Sequence, residues 1–332
     1  MRMRLFVVAI ILALPLAGAL AQTPGKVACD RACLEKYVDR YMDAMLAHDP
    51  SPTLFSRDCK FTENGVRLPL GNEGLWFLMS GKGTYKFYVP DIETQEVAFI
   101  GTARERASGA GAKPGEGTPV AVAVRLKIVN GLIAEAEQLV IRPENNLMGG
   151  ATASKFPPTA VAVEKMGSPN KVYAEVIPEA ERPSREEMIK TANYYFTGLQ
   201  RNDGKGYYPF TDDCDRMENG MQTTNIPRQD PATGQTVKVG CKEQFEKGLK
   251  NIVSRVRDRR FVAVDRERGI VFAFGFFDHE NINWTWQLAE LFKIEKGKIR
   301  RIEAVFHRCP YGMNSGWSTY EQGISDQIQS IR

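Results

Sequence analysis

The sequence predicts an α+β protein of two tandem domains, each a curved antiparallel sheet packed on helices. One short phrase occurs twice, as DCKFTENG from Asp58 and as DCDRMENG from Asp213. A helical periodicity precedes each phrase, and strand-like runs separated by turns follow it. Because a self-similarity of this length indicates domain duplication, and 332 residues suffice for about two domains, we expect two copies of one fold.

The N-terminus has the pattern of a secretory signal peptide. Arg2 and Arg4 precede an apolar run from residue 5 to 16, and the small residues 19–21 follow it. The run is too short for a comfortable membrane span. We therefore predict a signal peptide over 1–21, a mature chain from Gln22 without a membrane anchor, and a periplasmic or secreted location.

Each copy begins with an amphipathic helix. Apolar residues at steps of three and four define one helix face in the first copy (Leu34, Val38, Tyr41, Met45) and in the second (Met188, Ala192, Tyr195, Leu199). These faces are 154 residues apart (34 to 188), and the Asp-Cys phrases are 155 apart (58 to 213). The helix and the strand that follows it were therefore copied as one unit.

The end of each copy predicts a β-hairpin. GLIAEAEQLVIR from Gly131 corresponds to GKIRRIEAVFHR from Gly297, and strand-like runs that end in a two-residue turn precede both. The offset here is 166 residues (131 to 297), so the second copy contains extra residues. We assign them to PRQDPATGQT from Pro227, which is rich in turn-forming residues.

These landmarks define the predicted domains. The first domain covers 29–144, a Pro- and Gly-containing linker that lies over one domain covers 145–183, and the second domain covers 184–332. The second domain opens with Ser184 and, three residues later, Glu187, the pattern of a capping box at a helix start.

Composition and cysteine usage narrow the possible partners. A net charge of +4 does not favour a polyanion, and the arginines from Arg255 to Arg260 are interpreted as a solvated, partly ion-paired helix end and strand start, so no nucleic-acid partner is expected. No Cys/His cluster has metal-ligand spacing. For an exported chain we predict the disulfides Cys29–Cys33 and Cys214–Cys241 and leave Cys59 and Cys309 open.

The helix, the Asp-Cys strand and the terminal FKIEKGKIRRIEAVFHR together make each copy resemble the nuclear transport factor 2-like superfamily. Within it, the resemblance is to the SnoaL-like and ketosteroid-isomerase-like branch, and the chain looks like an exported subgroup of that branch. The resemblance implies cone-shaped domains in which a bent sheet and helices enclose an apolar pocket. It also implies that the two halves pack as an intramolecular pseudo-dimer. Members include isomerases, dehydratases, cyclases and epoxide hydrolases, and also non-catalytic binders, so residues must decide the function.

Differences between the copies point to the second domain as the functional one. Phe61 of the first copy corresponds to Arg216, and Ile141 corresponds to His307. We predict Glu218 as the general base, which shares a strand face with Arg216, and His279 or His307 as the acid. Asp278 precedes His279 and completes the predicted catalytic set. Arg216 is predicted to hold a substrate carboxylate or to stabilise an enolate.

Aromatic side chains complete the predicted pocket. Besides Arg216, the predicted substrate-binding residues are Trp284, Trp286, Phe276 and Tyr208. A structural alternative stands beside each prediction: the aromatic residues can form core, Glu218 can brace its turn, and Arg216 can simply pair with Glu218. The loop RCPYGMNSGW from Arg308 is interpreted as a pocket lid or as a plug between the halves.

The sequence therefore predicts an exported small-molecule-pocket protein, with cofactor-independent acid/base isomerisation, dehydration or cyclisation of a small apolar or aromatic compound as the working hypothesis. The alternatives are a non-catalytic binding or interaction protein of the same fold, or a scaffold without an open pocket. No cofactor and no metal are expected. No Ser/His/Asp order or Gly-rich phosphate loop supports a hydrolase or a kinase.

Overall fold

A computed structural model describes residues 28–106, 113, 115–143, 157–230, 232–247 and 253–329. The predicted signal peptide and the start of the predicted linker lie outside these residues. The predicted α+β class with two tandem domains is confirmed, since two six-stranded sheets with the same internal strand order each pack on helices. No helix in the described part of the chain is long and apolar enough to cross a membrane.

The first sheet has the order β2-β1-β6-β5-β4-β3 and covers α1 with its concave face. The Asp30 side chain caps α1 by accepting a hydrogen bond from the Cys33 amide. The elements are α1 (Arg31–Leu46), β1 (Phe55–Glu63), β2 (Val66–Arg67), α2 (Leu75–Leu78), β3 (Met79–Asp91), β4 (Glu96–Glu105), β5 (Thr118–Val129) and β6 (Leu132–Ile141).

The segment between the sheets contains short helices that pack on the first sheet. They are α3 (Thr159–Lys165) and two 3-10 turns (Lys171–Ala174 and Glu179–Glu181). Val163 and Tyr173 from this segment belong to an apolar cluster with residues of both sheets. Tyr173 stacks on Phe87 with ring centroids 4.7 Å apart, which anchors the segment to β3.

The second sheet repeats the arrangement in the order β11-β12-β13-β14-β7-β8. The capping box of Ser184 and Glu187 is present at the start of α4. The elements are α4 (Arg185–Arg201), β7 (Phe210–Glu218), β8 (Met221–Gln222), β9 (Arg228–Gln229), β10 (Thr236–Val237), α5 (Cys241–Lys247), β11 (Arg255–Asp265), β12 (Ile270–His279), a 3-10 turn (Glu280–Ile282), β13 (Trp284–Glu295), β14 (Lys298–Pro310) and α6 (Tyr320–Ile324).

Both sheets are mixed, whereas hairpin signals alone predict antiparallel pairing. β1 lies parallel to β6, and β7 lies parallel to β14. These strands are distant in sequence, so no turn motif marks the pairing. The small hairpin of β9 and β10 occupies the region where extra residues of the second copy were predicted.

Side chains alternate along a strand, so each sheet has two faces, and in this protein both faces are buried. The inner face packs on the helix of its own domain and forms a separate core in each domain. The outer faces of the two sheets share a third core that includes Tyr85, Ile100 and Leu139 from the first domain and Phe272 and Val305 from the second. The two domains therefore meet through their open sheet faces.

Charged side chains cross this interface. Arg260 donates two hydrogen bonds of 2.7 Å to Glu137, and the Tyr85 hydroxyl donates to Glu303 at 2.5 Å. Arg257, Arg259 and Arg260 are almost fully buried in β11, so the prediction of a solvated arginine stretch is wrong. Sequence composition suggested exposure, but the second domain places these residues under the first domain and the C-terminal tail.

The tail after β14 lies across the interface. The Trp317 indole is buried and donates to Thr62 Oγ1 at 2.7 Å. Its ring lies between the amine of Lys60, at 3.9 Å, and the guanidinium of Arg125, at 4.6 Å. Trp317 therefore plugs the contact between the halves, the second of the two roles considered for this segment.

Both predicted disulfides are present. Cys29 is bonded to Cys33, and Cys214 is bonded to Cys241, which joins β7 to α5. Cys59 and Cys309 are free thiols. Cys59 is the first-copy counterpart of Cys214, so only the second domain has this covalent link between its first strand and the short helix that covers it.

Candidate functional site

The inner face of the second sheet contains a buried polar cluster, which we call the acid cluster and define as Tyr195, Arg216, Glu218 and Glu290. Glu218 pairs with Ala304 of β14, and Ala304 pairs with Glu290 of β13. The two glutamates therefore flank a single small side chain on the same face. Tyr195 approaches them from α4, where it is buried near both glutamates and hydrogen-bonded to Glu290.

Arg216 is 4% exposed and is held by three neighbours. Its Nε atom lies 3.1 Å from Glu218 Oε1 and donates to Thr223 Oγ1 at 3.0 Å. Its Nη2 atom donates to Gln244 Oε1 at 2.7 Å, whereas Nη1 has no hydrogen-bond partner. Burial alone would lower the pKa of Arg216, but the neighbouring Tyr195, Glu218 and Glu290 outweigh it and raise that pKa. Arg216 is therefore a fixed cation with a free donor.

Glu290 is 1% exposed and has one oxygen, Oε2, without a hydrogen-bond partner. Burial, reinforced by the charge of Glu218, raises the pKa of Glu290 well above its usual range, although Arg216 and a hydrogen bond with Tyr195 act in the opposite direction. The buried surroundings of Glu290 therefore favour its neutral form. The cluster combines this buried carboxyl group with that of Glu218, whose side chain is 28% exposed.

The corresponding part of the first domain is closed by hydrogen bonds. Trp76 Nε1 donates to the Tyr41 hydroxyl at 3.1 Å, which donates to Gln138 at 2.9 Å, and Gln138 donates to Glu63 at 3.0 Å. The second Glu63 oxygen accepts from Arg142 at 2.8 Å. Every member of this chain has a partner, so the first cone is a satisfied core.

Equivalent positions explain why the second cone differs. Phe61 is replaced by Arg216, Val124 by Glu290 and Gln138 by Ala304. Tyr41 and Phe55 contact the Trp76 ring, whereas their counterparts Tyr195 and Phe210 contact the Phe245 ring, which has no N–H group to donate. Arg308, the counterpart of Arg142, lies 3.8 Å over the Trp284 ring and forms no ion pair with Glu218.

His279 lies on the same inner face but at another part of the sheet. It pairs with Trp284, six residues along β13 from Glu290, which corresponds to roughly 20 Å of strand. Both of its ring nitrogens lack partners, and burial lowers its pKa. The ring packs between Trp284 and Trp286, at centroid distances of 5.9 and 4.3 Å.

Asp278, Phe276 and His307 lie on the outer face, opposite the acid cluster. Asp278 is held by Arg255, Arg257 and Thr285, and although burial alone would raise its pKa, these donors lower it. His307 Nε2 lies 3.2 Å from Gln287 Oε1. Burial and the nearby Arg142 lower the pKa of His307 to about 4. Strand alternation separates these residues from Arg216 and Glu218.

The remaining predicted pocket residues have core contacts. Trp286 is half-buried and stacks on Phe306 at 4.8 Å, and both belong to the rim of the second inner core. Tyr208 is buried, packs on Phe245 at 5.3 Å and accepts a hydrogen bond from the Gly206 amide. The structure therefore brings Arg216 and Glu218 together and distributes the other predicted residues over two faces.

Sequence analysis missed Glu290 and Tyr195 as members of a polar site. The signal for Glu290 was available, because its first-copy counterpart is Val124, on a strand face that is otherwise apolar. Tyr195 carried no such signal, since Tyr41 occupies the same position in the first copy. No group of three or more His, Cys, Asp or Glu residues in the described segments could hold a metal ion.

Comparisons with known proteins match parts of the chain. A family model described as "Domain of unknown function (DUF8021)" matches residues 181–306, which is the second copy. No curated protein matches the chain.

Three solved structures match part of this chain at low sequence identity. An LEH-like epoxide hydrolase from M. tuberculosis is 13% identical, with a TM-score of 0.27 over 38% of this chain and 86% of that one. A protein of Kribbella flavida DSM 17836, provisionally named a ketosteroid isomerase, is 10% identical, with a TM-score of 0.27 over 37% of this chain and 80% of that one. A de novo designed protein with a curved β-sheet is 17% identical, with a TM-score of 0.26 over 38% of this chain and 88% of that one. These likenesses carry no argument about activity.

Proposed function

We propose that the second domain binds a small apolar or aromatic compound in its cone and catalyses a cofactor-independent acid/base reaction on it, such as isomerisation, dehydration or cyclisation. The observation that carries this proposal is the buried Glu290, whose Oε2 atom has no hydrogen-bond partner and whose carboxyl group shares the inner face with Glu218 and Arg216. Buried polar atoms without partners are uncommon, and buried carboxyl groups with a shifted pKa, such as Glu290, are concentrated at functional sites.

The chemistry assigns each residue a separate role. Glu218 takes a proton from carbon next to a substrate carbonyl and returns it at a second carbon, so that an isomerisation has no net proton change. Glu290 and Arg216 Nη1 donate hydrogen bonds to the oxygen on which negative charge develops. The enclosing aromatic residues exclude water, which strengthens these interactions.

A direct test is deuterium exchange catalysed in D2O. The protein is incubated with a panel of α,β- and β,γ-unsaturated ketones and hydroxy ketones, and incorporation into each compound is measured by mass spectrometry. We expect Glu218→Gln to lower exchange by roughly 100-fold or more and Glu290→Gln to lower it by about 100-fold. Glu63→Gln, the matched first-copy change, is expected to retain exchange if circular dichroism shows a folded protein. Exchange that survives Glu218→Gln would remove Glu218 as the base.

The second candidate is a non-catalytic binder. It is favoured by the ring cluster of His279, Trp286 and Phe306, which can hold an aromatic ligand without any proton transfer. Saturable binding of panel compounds without deuterium incorporation, and binding that tolerates Glu218→Gln, would establish this function instead.

We also propose that the mature chain is exported. The two disulfides support an oxidising location, in agreement with the signal-peptide pattern. N-terminal sequencing of the protein produced in a bacterial host with a Sec pathway is expected to give a first residue near Gln22, and retention of Met1 would contradict export.

A further inference from the structure

A cavity of about 770 Å³ lies outside the cone of the second domain, between the first turns of α4, the β13–β14 turn and the segment after α4. A groove of about 390 Å³ adjoins it and shares Lys296. We call the two together the turn groove. Its lining includes Lys190, Thr191, Tyr194, Tyr207, Lys296 and Lys298.

The same place in the first domain is filled. The Tyr37 hydroxyl donates to the carbonyl of Gly131 at 2.7 Å and so connects α1 to the β5–β6 turn. Thr191 occupies the position of Tyr37, and Gly297 that of Gly131. The shorter threonine side chain instead donates to Glu187 O within its own helix, at 2.9 Å. The second copy therefore lacks the side chain that spans this space in the first.

Aromatic side chains have been added around the opened space. Tyr194 replaces Arg40, and Tyr207 replaces a proline of the first copy. The two tyrosine rings meet edge to face at 4.9 Å, and Tyr207 remains 64% exposed. Its neighbour Tyr208 is buried and fixed to the Gly206 amide, so the Tyr207 ring is held at the surface. A held, exposed tyrosine beside a cavity is typical of a binding surface.

The charges of the turn groove favour an anionic ligand. Glu187 is used in the capping box, and Asp213 and Glu295 are paired with Arg300. Within the described residues, the amines of Lys190, Lys296 and Lys298 have no carboxylate within 4.0 Å, and Lys190 interacts only at longer range with Glu187. Three cations without close partners thus line a groove with flat aromatic walls.

We propose that the turn groove binds an acidic oligosaccharide. The Tyr207 ring supports the flat face of one sugar, and the lysines, spread along the groove, meet carboxylates on successive sugars. The groove's own carboxylates can accept hydrogen bonds from sugar hydroxyls but would repel a densely charged phosphate backbone. The site is separate from the acid cluster and does not depend on the function proposed for it.

The test is calorimetric titration of the protein with tetragalacturonate, with neutral maltotetraose and the oligonucleotide dT4 as comparisons. We expect tetragalacturonate alone to bind, more weakly as salt increases. Tyr207→Ala is expected to weaken binding by roughly tenfold and Lys296→Ala by roughly threefold to tenfold. Lys238→Ala, at an exposed site away from the groove, serves as the matched control.

Thr191→Tyr is the decisive variant because it restores the first-copy residue that closes the groove. It is expected to abolish tetragalacturonate binding while thermal unfolding remains cooperative, and Tyr207→Ala provides the same test at an exposed residue if Thr191→Tyr does not fold. Absence of binding to the unaltered protein, unchanged binding in Thr191→Tyr, or preference for dT4 would overturn the proposal. Glu218→Gln is expected to bind normally, which separates this site from the cone.

Discussion

At the scale of single residues, the two copies show how a substitution introduces a buried polar group into an apolar core. Val124 in the first cone is one apolar residue among others, whereas Glu290 at the same position introduces a buried acid with a free oxygen. Such a group costs folding free energy, because its ionised form is poorly solvated. A protein keeps such a cost most readily where function requires it.

Replacing the acid should therefore stabilise the protein. Because the pKa of Glu290 is raised on folding, its contribution to stability is fully present below the unfolded value and is lost as pH increases. We expect the free energy of unfolding of Glu290→Gln, measured with urea, to be close to that of the unaltered protein at pH 4. At pH 8 we expect the variant to be about 1–3 kcal/mol more stable. Glu63→Gln, at a fully paired carboxylate, should instead destabilise. A Glu290→Gln protein that is less stable at pH 8 would contradict this account.

Two interface residues, Glu303 and His307, should change the free energy of unfolding in opposite directions as pH changes. Burial raises the pKa of Glu303 from 4.5 to about 7, so its stabilising contribution is lost as pH rises from about 4.5 to 7. The pKa of His307 is lowered from 6.5 to about 4, so its contribution is lost as pH falls from about 6.5 to 4. Where the two ranges overlap, from about pH 4.5 to 6.5, the two effects on stability oppose each other.

Single variants should separate the two effects. Relative to the unaltered protein, Glu303→Gln should gain about 3 kcal/mol of stability between pH 4.5 and 7, because glutamine keeps the Tyr85 hydrogen bond but does not ionise. His307→Ile, which restores the first-copy residue, should lose stability relative to the unaltered protein over the rising pH range from 4 to 6.5. Urea unfolding at intervals of one pH unit measures both, and parallel profiles for all three proteins would show that neither residue titrates as described.

At the scale of elements, the helix that covers each cone differs in how it is attached. In the first domain, α2 places Trp76 in the cone, and the Leu75 amide donates to Glu63 at 2.8 Å. In the second domain, α5 places Phe245 there and is joined to β7 by Cys214–Cys241. The covering helix is therefore attached by a hydrogen bond to the first strand of the sheet in the first domain and by a covalent bond to that strand in the second.

Removing this disulfide should be costly in the second domain only. Cys214→Ser with Cys241→Ser should lower the free energy of unfolding by about 2–4 kcal/mol, since a loop of 27 residues gains freedom in the unfolded chain. Cys59→Ser, at the free first-copy counterpart, should cost less than about 1 kcal/mol. Guanidinium unfolding of the oxidised proteins checks both values, and equal losses at the two positions would refute a domain-specific role.

At the scale of the whole molecule, the two domains are joined by buried charges as well as by an apolar core. Arg260 and Glu137 form a two-bonded pair across the interface, with Asp258 3.2 Å from Arg260 and Arg125 3.7 Å from Glu137. A buried pair of this kind need not stabilise more than an apolar contact, but loss of one member leaves an uncompensated charge. The domains should therefore unfold together while the pair is intact.

A double-mutant cycle tests this coupling. Arg260→Met and Glu137→Met should each destabilise by about 3–5 kcal/mol, and the double variant should lose less than the sum of the single losses. Differential scanning calorimetry should show one transition for the unaltered protein and two for Arg260→Met. Additive losses, with a single transition throughout, would mean that the pair does not couple the domains.

The sequence by itself determined the duplication, the helix that opens each copy and the terminal hairpin, because these depend on local periodicity, on turn residues and on comparison of the copies. The two disulfide pairings predicted from the sequence needed the structure to confirm them, because connectivity depends on which cysteines meet in space. It also identified the strand face on which Arg216 and Glu218 lie. The tertiary structure alone decided that β1 and β7 pair in parallel with distant strands, that the β11 arginines are buried, and that His307 and Asp278 face the other domain. It also showed the acid cluster and the turn groove. Each of these depends on which faces meet in space, and that is set by pairings between residues far apart in the chain.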